Sequence, residues 1–507
     1  MRQIPEVYPK DEYNLTLLAN VHPSERLNPT PAARYHLVVV GAGTAGLITA
    51  AAAAGLGARV ALVERQLMGG DCLNVGCVPS KSIIRSSRVL GELRAAAELG
   101  VNVPMGTEVD FGKVMQRMRR VRSEISRHDS VRRYQEEIGV DVFLGQGTFT
   151  GPDTLEVDGK TLRFKKAVIA TGARAATPPV EGLSEVGFLT NETVFSLTER
   201  PPRLGVIGAG PIGCELAQAF QRLGSDVTLL EMGSHVLGRE DADAAAIVQA
   251  AMLRDGVKLV LHARVVRVEQ SPEGKLLHYE VNGDPKQVAL DEILVGAGRA
   301  PNVEGLNLEA VGVRYDLRKG LEVDDRLRTT NPRIYAAGDV CMEKKFTHAA
   351  DAAAQIVVRN ALFFGRRKPS QLVIPWCTYT DPEIAHVGMY EREANALGIE
   401  VDTYLTAHSA VDRAKADGEE EGFTKIHVKK GSDQILGATI VAPHAGEIIN
   451  EITLAMVGKL GLGKVFEVIH PYPTQAMAIK ASAGAYLRTR LTPFAKRLFN
   501  LWFRLTG

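Results

Sequence analysis

The stretch GGDCLNVGCVPSK, Gly69 to Lys81, carries Cys72 and Cys77 five positions apart, with Lys81 four residues beyond the second. Two thiols this close can cycle between dithiol and disulfide, or hold a soft cation between two sulfurs. In a regular helix they would be separated by about 7.5 Å of rise and turned about 140° apart. That exceeds the roughly 4.4 to 6.8 Å between Cα atoms that a disulfide accepts. The segment must therefore depart from a regular helix, and Gly76 is the expected place. A helix N-terminus and the Lys81 ammonium would draw a thiol below its usual value of about 8.5, giving a thiolate nucleophile. The bland alternative is two apolar cysteines packed in a helix.

The elements around this pair repeat. YHLVVVGAGTAGLITAAAAAGLGARVALVE, residues 35 to 64, reads as an apolar strand, a glycine turn, an alanine-rich helix, a second strand and a terminal acid. LGVIGAGPIGCELAQAFQRLGSDVTLLE, residues 204 to 231, follows the same plan, and in both the acid lies 21 residues after the middle glycine. A GxGxxG alone is weak evidence, but between a strand and a helix, with an acid at this offset, it is a dinucleotide-binding fingerprint. Gly41 and Gly208 would make the tight turns, Gly43 and Gly210 would admit a pyrophosphate, and Gly46 and Gly213 would let helix pack on strand. The phosphates would face free N–H groups at the helix start. Glu64 and Glu231 would accept hydrogen bonds from ribose hydroxyls. Two nucleotide sites and a thiol pair imply an electron relay.

The chain resembles the flavin-dependent pyridine nucleotide-disulfide oxidoreductases, the class holding glutathione reductase, dihydrolipoyl dehydrogenase and mercuric reductase. The landmarks run in family order from residue 36 to about 485: GAGTAG, CLNVGC, VIATGA, GAGPIG, VGAGRAPN, IYAAGDV and PYPT. The resemblance implies FAD on the first unit, with Glu64 on its ribose, Gly70, Gly147 and Gly172 along the nucleotide, and Asp339 on the ribityl chain. Thr347, His348 and Ala349 would open a helix toward the flavin, whose reduced anion a positive helix end stabilises. NAD(P)H would bind the second unit, Gly298 included. Cys77 would lie against the flavin, Cys72 would exchange with substrate, and Lys81 and Glu215 would form an ion pair beside the flavin edge that receives hydride. Glu215 as a plain helix acid is the alternative.

The fold class implied is α/β: two Rossmann-like domains and a C-terminal α/β interface domain. The expected divisions are an arm at 1–34, an FAD domain at 35–190 and 310–368, an NAD(P) domain at 191–309, an interface domain at 369–490 and a tail at 491–507. A homodimer follows, with Tyr472 entering the neighbouring active site.

Which acceptor the thiols serve turns on IHPYPTQAM, residues 469 to 477. Disulfide reductases of the family carry histidine before the Pro-Thr and glutamate shortly after it; here Tyr472 and Met477 fill those positions. Ionising a phenol of pKa about 10 at pH 7 costs roughly 4 kcal/mol, whereas an imidazole near 6.5 is already a usable base. His470 could substitute only by a shifted register. Tyr472 and the GGDCLNVGCVPSKSIIR helix resemble mercuric reductase, and a thiolate pair suits a soft ion such as Hg(II), with Cys72 and Cys77 as ligands of the substrate. The sequence departs from that enzyme in having no cysteine after Cys377 and no Cys-x-x-Cys. The alternatives are a dihydrolipoyl dehydrogenase-like enzyme and a non-catalytic, redox-sensing flavoprotein. Glu231 favours a free 2′-hydroxyl and no arginine follows within MGSHVLG, so NADH is favoured over NADPH, although Arg239 lies just beyond.

Composition sets outer bounds. At 507 residues the chain exceeds one hydrophobic core, and 45% hydrophobic with 23% charged residues is ordinary for a globular protein. A net charge of +1 provides no field toward nucleic acid, and none is expected as a partner. The N-terminus lacks the basic and apolar regions of a secretory signal, so a cytoplasmic protein is the default expectation. Cys214, Cys341 and Cys377 read as packed small residues. The basic run 117–133 reads as a solvated helix face with a stripe of Val114, Met118, Val121 and Ile125. In the tail, Phe494, Leu498, Leu501, Trp502 and Leu505 share one helical face, suited to packing on the dimer, the favoured reading, or to weak contact with a membrane surface.

Overall fold

Alternation along the strand Tyr35–Val40 organises the first layer. Leu37 and Val39 enter one buried cluster with Leu62 and the alanines of the following helix, while Val38 and Val40 enter a second cluster with Phe149 and Phe164. A strand buried on both faces reads as an unbroken apolar run, as VVV does here. The computed structural model describes residues 5–104 and 106–507. Its first sheet has the strand order Asp141–Leu144, Val60–Glu64, Tyr35–Val40, Lys160–Ile169, Thr154–Val157, Gly147–Gly151, with Ile334–Ala336 also paired to Lys160–Ile169. Around Tyr35–Val40 the pairing is parallel, with Val38 opposite Ala61 and Ala167. The helix Thr44–Gly55 makes the crossover.

The second unit builds a four-stranded parallel sheet, Lys258–Val260, Asp226–Leu230, Arg203–Ile207 and Glu292–Val295, with the helix Pro211–Arg222 as its crossover. A three-stranded antiparallel sheet over 263–290 follows it. The last sheet has five antiparallel strands from Trp376–Thr378 to Ile435–Ala442, covered by Ala445–Val457 and Met477–Thr489. Among the described residues no helix is long and apolar enough to cross a membrane.

The segment expected as an arm is part of the first core. A helix forms over Glu12–Val21, capped by the Asp11 carboxylate on the Asn14 N–H at 2.9 Å, and buries Leu17 and Val21 against Leu37 and Leu62. Asn28 then closes on Leu144 through both its amide atoms, at 2.7 and 2.8 Å.

The basic run also departs from expectation. The helix Phe111–Ile125 buries Phe111, Met115 and Met118 and leaves Ile125 exposed, and it buries two of its arginines. Arg119 Nε reaches Asp11 at 2.5 Å, and Arg122 donates to the Asn74 carbonyl and the Asn14 side chain, both at 2.6 Å. These cations are held by the N-terminal helix, whose position a local charge pattern does not reveal.

Candidate active site

The thiol segment is two helices with a break between them. Gly70–Asn74 forms the first, and Cys77–Ala95 the second. At the break a Cβ on Gly76 would lie 2.7 Å from the Asp71 carbonyl oxygen, so the close turn tolerates no side chain. Gly70, at φ 57°, seats this segment on the first glycine turn, where a Cβ would come within 2.6 Å of the Gly43 Cα. The Asn74 amide ties the short helix to the Gly70 and Met68 carbonyls at 2.8 and 3.1 Å.

Both cysteines are free thiols: Cys72 is half-buried, and Cys77, at the start of its helix, is open to the cavity it walls but packed round by protein. The Cys77 thiol is drawn down to about 6, first by a hydrogen bond with Cys72, then by the Thr347 hydroxyl at 3.4 Å and the Lys81 ammonium, against burial and Glu215. Cys72 is driven up by the same shared hydrogen bond and by burial. Of the pair, Cys77 is therefore the more acidic thiol. Cys214, Cys341 and Cys377 are each raised, chiefly by burial, as befits packed side chains.

Lys81, one turn after Cys77, reaches Glu215 Oε2 at 2.8 Å, and Glu215 Oε1 accepts the Tyr379 N–H at 2.9 Å. The Lys81 ammonium lies 4.5 Å from the centre of the Tyr379 ring. Tyr379 carries no sequence signal for this place; it arrives from the five-stranded domain. Glu215 stands on the helix of the second glycine unit, so this cluster joins three parts of the chain.

A cavity of about 860 Å³ runs from Glu64 past Gly41 and Gly43 to Cys77, Lys81 and Glu215. Gly70, Gly172, Asp339, Thr347 and Cys72 also wall it. The Glu64 carboxylate accepts the Ala42 and Gln66 N–H groups at 2.6 and 2.7 Å, and burial raises it against those bonds. Burial likewise raises Asp339, with the Arg299 guanidinium 3.6 Å away in opposition. Arg299 also pairs with Asp71 beside Cys72.

Four of the residues expected around FAD do not wall the cavity. Gly46 packs under the turn, where a Cβ would meet the Gly41 carbonyl oxygen. Gly147 lies in a strand against Val63 and Leu155. Ala349 is buried in its helix, and His348 turns its Nε2 to the Pro375 carbonyl at 2.6 Å and stacks on Phe346. The second unit repeats the first: Glu231 accepts the Ala209 and Gly233 N–H groups at 2.7 and 2.8 Å, Gly213 packs on the Gly208 carbonyl, and Gly210 precedes the helix. Gly208 and Gly298 adopt positive φ, 97° and 92°. From that helix Ile212, Glu215 and Leu216 reach the cavity.

Tyr472 stands apart from the cavity of its own chain, 70% exposed, its hydroxyl donating to Asp412 at 3.1 Å. His470 is held instead: its side chain is 4% exposed, with Nε2 at 3.0 Å from Glu451 and Nδ1 at 3.2 Å from the Val468 carbonyl.

The cavity fits a long dinucleotide. It has glycine turns at a helix start, an acid at the ribose position, and room of the order that ligand sites of about 300–1,000 Å³ provide. Comparison with known proteins agrees. The pyridine nucleotide-disulphide oxidoreductase profile matches residues 35–355, and the dimerisation domain of the same family matches residues 374–483. A mercuric reductase of Bacillus cereus is 36% identical over 449 residues, 88% of this chain and 70% of that protein. A dihydrolipoyl dehydrogenase of Geobacillus stearothermophilus is 33% identical over 456 residues, 89% of this chain and 96% of that protein. Among solved structures, the HOCl-induced flavoprotein disulfide reductase RclA from Escherichia coli superposes with a TM-score of 0.79 at 28% identity, over 89% of this chain and 99% of that one. LpdA from Mycobacterium tuberculosis gives 0.81 at 28% identity, over the same shares. The chain belongs to the pyridine nucleotide-disulphide oxidoreductase family, enzymes that use FAD and NAD(P)H.

Proposed function

We propose that this protein takes electrons from NAD(P)H, with NADH favoured, and delivers them through Cys72 and Cys77 to Hg(II). The balanced reaction is NADH with Hg(II) giving NAD⁺, a proton and Hg(0). FAD, when bound in the cavity, supplies the two-electron transfer between nicotinamide and sulfur.

The chain's own residues have separable parts. Gly41, Gly43 and the start of Thr44–Gly55 would bind the FAD pyrophosphate and Glu64 its ribose; Gly208, Gly210 and Glu231 would do the same for the nicotinamide nucleotide. Lys81, fixed by Glu215 and Tyr379, would keep a positive charge beside Cys77. Cys77 and Cys72 would ligate the substrate ion through sulfur, since two thiolates suffice for a linear soft cation. In a homodimer, Tyr472 of each subunit would serve the other's thiols.

The observation that carries the choice of acceptor is the contrast at 470–472. A dithiol substrate needs a base to take its proton. His470 is buried and engaged at both ring nitrogens, whereas the exposed group is a phenol, whose pKa the Asp412 carboxylate raises further. A dihydrolipoyl dehydrogenase-like activity is the second reading, favoured by Glu231 and by relatives of that name. The test compares NADH-dependent Hg(II) reduction with dihydrolipoamide oxidation by the same FAD-loaded protein. Hg(II) turnover well above dihydrolipoamide turnover is expected; the reverse order would replace the first reading by the second.

A further inference from the structure

The helix Pro493–Thr506 has no buried residue. Thr492 caps it, its hydroxyl accepting the Ala495 N–H at 3.2 Å, so it is a well-started helix and not a frayed end. At about 100° per residue, Leu501, Phe494, Leu505, Leu498, Trp502 and Phe499 follow one another round an arc of about 160°. Lys496, Asn500, Arg504 and Arg497 fill an opposite arc of about 100°, with Phe503 at its edge. The apolar arc is open: Phe494 and Leu505 are each 76% exposed and Trp502 61%. An apolar patch of this kind marks a docking surface.

Charge identifies the occupant. The sequence carries no acidic residue after Glu467, while Lys480, Arg488, Arg490, Lys496, Arg497 and Arg504 are all cationic. Cations flanking an apolar arc match a surface that is anionic outside and apolar beneath, namely an anionic lipid headgroup layer over acyl chains. A second copy of the same helix would offer these cations no acid. At 14 residues the helix is about 21 Å long, short of the roughly 30 Å hydrocarbon core, so it can lie in the interface but not span it.

We propose that Pro493–Thr506 docks this oxidoreductase on anionic membrane surfaces, with the apolar arc toward the acyl chains and Lys496, Arg497 and Arg504 at the headgroups. The inference stands apart from the choice of electron acceptor. It is tested by co-sedimenting the FAD-loaded protein with vesicles of phosphatidylcholine alone or doped with phosphatidylglycerol, while following tryptophan emission. Partition onto the anionic vesicles should exceed that onto neutral ones by about tenfold, fall as salt is raised, and be accompanied by a blue shift. Lys496→Glu with Arg497→Glu, and separately Leu498→Ser with Trp502→Ser, should each abolish the difference while leaving NADH reduction of the flavin and the elution volume of the dimer unchanged. Equal partition onto both vesicles, no partition onto either, or dissociation of the dimer in the Leu498→Ser, Trp502→Ser variant would overturn the proposal, the last by assigning the face to a second copy.

Discussion

Lys81 Nζ and Glu215 Oε2 are 2.8 Å apart, joining the helix that starts at Cys77 to the helix that starts at the second glycine turn. Glu215 is only 6% exposed, and that ammonium is the cation paired with it. Lys81→Met should destabilise the protein by about 2 kcal/mol: losing one partner of a buried pair costs about 3–5 kcal/mol, and the one-third exposure of Lys81 reduces this. Glu215→Gln should cost less. Urea unfolding of the FAD-loaded protein measures both.

Cys77 gives a pH dependence with a definite sign. Its folded value of about 6 lies below the ordinary thiol value, so the thiolate persists down to about that pH and the stability it contributes is lost as pH falls through it. In the two-electron-reduced, FAD-loaded enzyme, long-wavelength absorbance from thiolate against flavin should rise with pH with a midpoint near 6. Lys81→Met should move that midpoint upward by removing a nearby positive charge. A midpoint near the ordinary thiol value would remove the role assigned to Lys81 and Thr347.

Arg122 links the N-terminal helix to the thiol segment through Asn14 and the Asn74 carbonyl. Arg122→Leu leaves both oxygens without this donor, at about 1–3 kcal/mol for each buried group left unpaired. The loss should concentrate locally: amide exchange over 72–77 should accelerate more than exchange in the first sheet. Uniform acceleration would make Arg122 a general core residue.

Much of this site was legible in the sequence, for reasons that are local. Glycine turns, strand runs and terminal acids lie within about 30 residues of each other, and a βαβ unit is built from such short-range order. The break at Gly76 follows from helix geometry together with the spacing a disulfide needs. Other parts were not legible, because distant segments decide them. Arg119 and Arg122 belong to a run that looks solvated until Asp11 and Asn14 are brought to it. Tyr379 reaches Lys81 and Glu215 only because the five-stranded domain packs there. His348 sits at the expected helix start, yet its ring is taken by the Pro375 carbonyl, a contact no spacing encodes.

Tyr472 tests whether the active site is shared. Tyr472→Phe should lower Hg(II) turnover by about tenfold, the size of one lost hydroxyl contact of about 1–1.5 kcal/mol, and leave NADH reduction of the flavin unchanged. Coexpressing the Cys72→Ser and Tyr472→Phe chains should restore about a quarter of wild-type turnover, since each mixed two-fold dimer then holds one intact site. No recovery would mean that Tyr472 serves its own chain or neither.

The central claim, that the 72/77 sulfurs carry electrons from nicotinamide to a soft ion, meets its most direct measurement in an anaerobic titration. NADH is added to the FAD-loaded protein and then Hg(II), with absorbance recorded throughout and elemental mercury trapped. The expected result is uptake of two electrons with a long-wavelength band, loss of that band on adding Hg(II), and mercury release that Cys72→Ser abolishes. Flavin reduction without the band, or mercury release undiminished in Cys72→Ser, would contradict it.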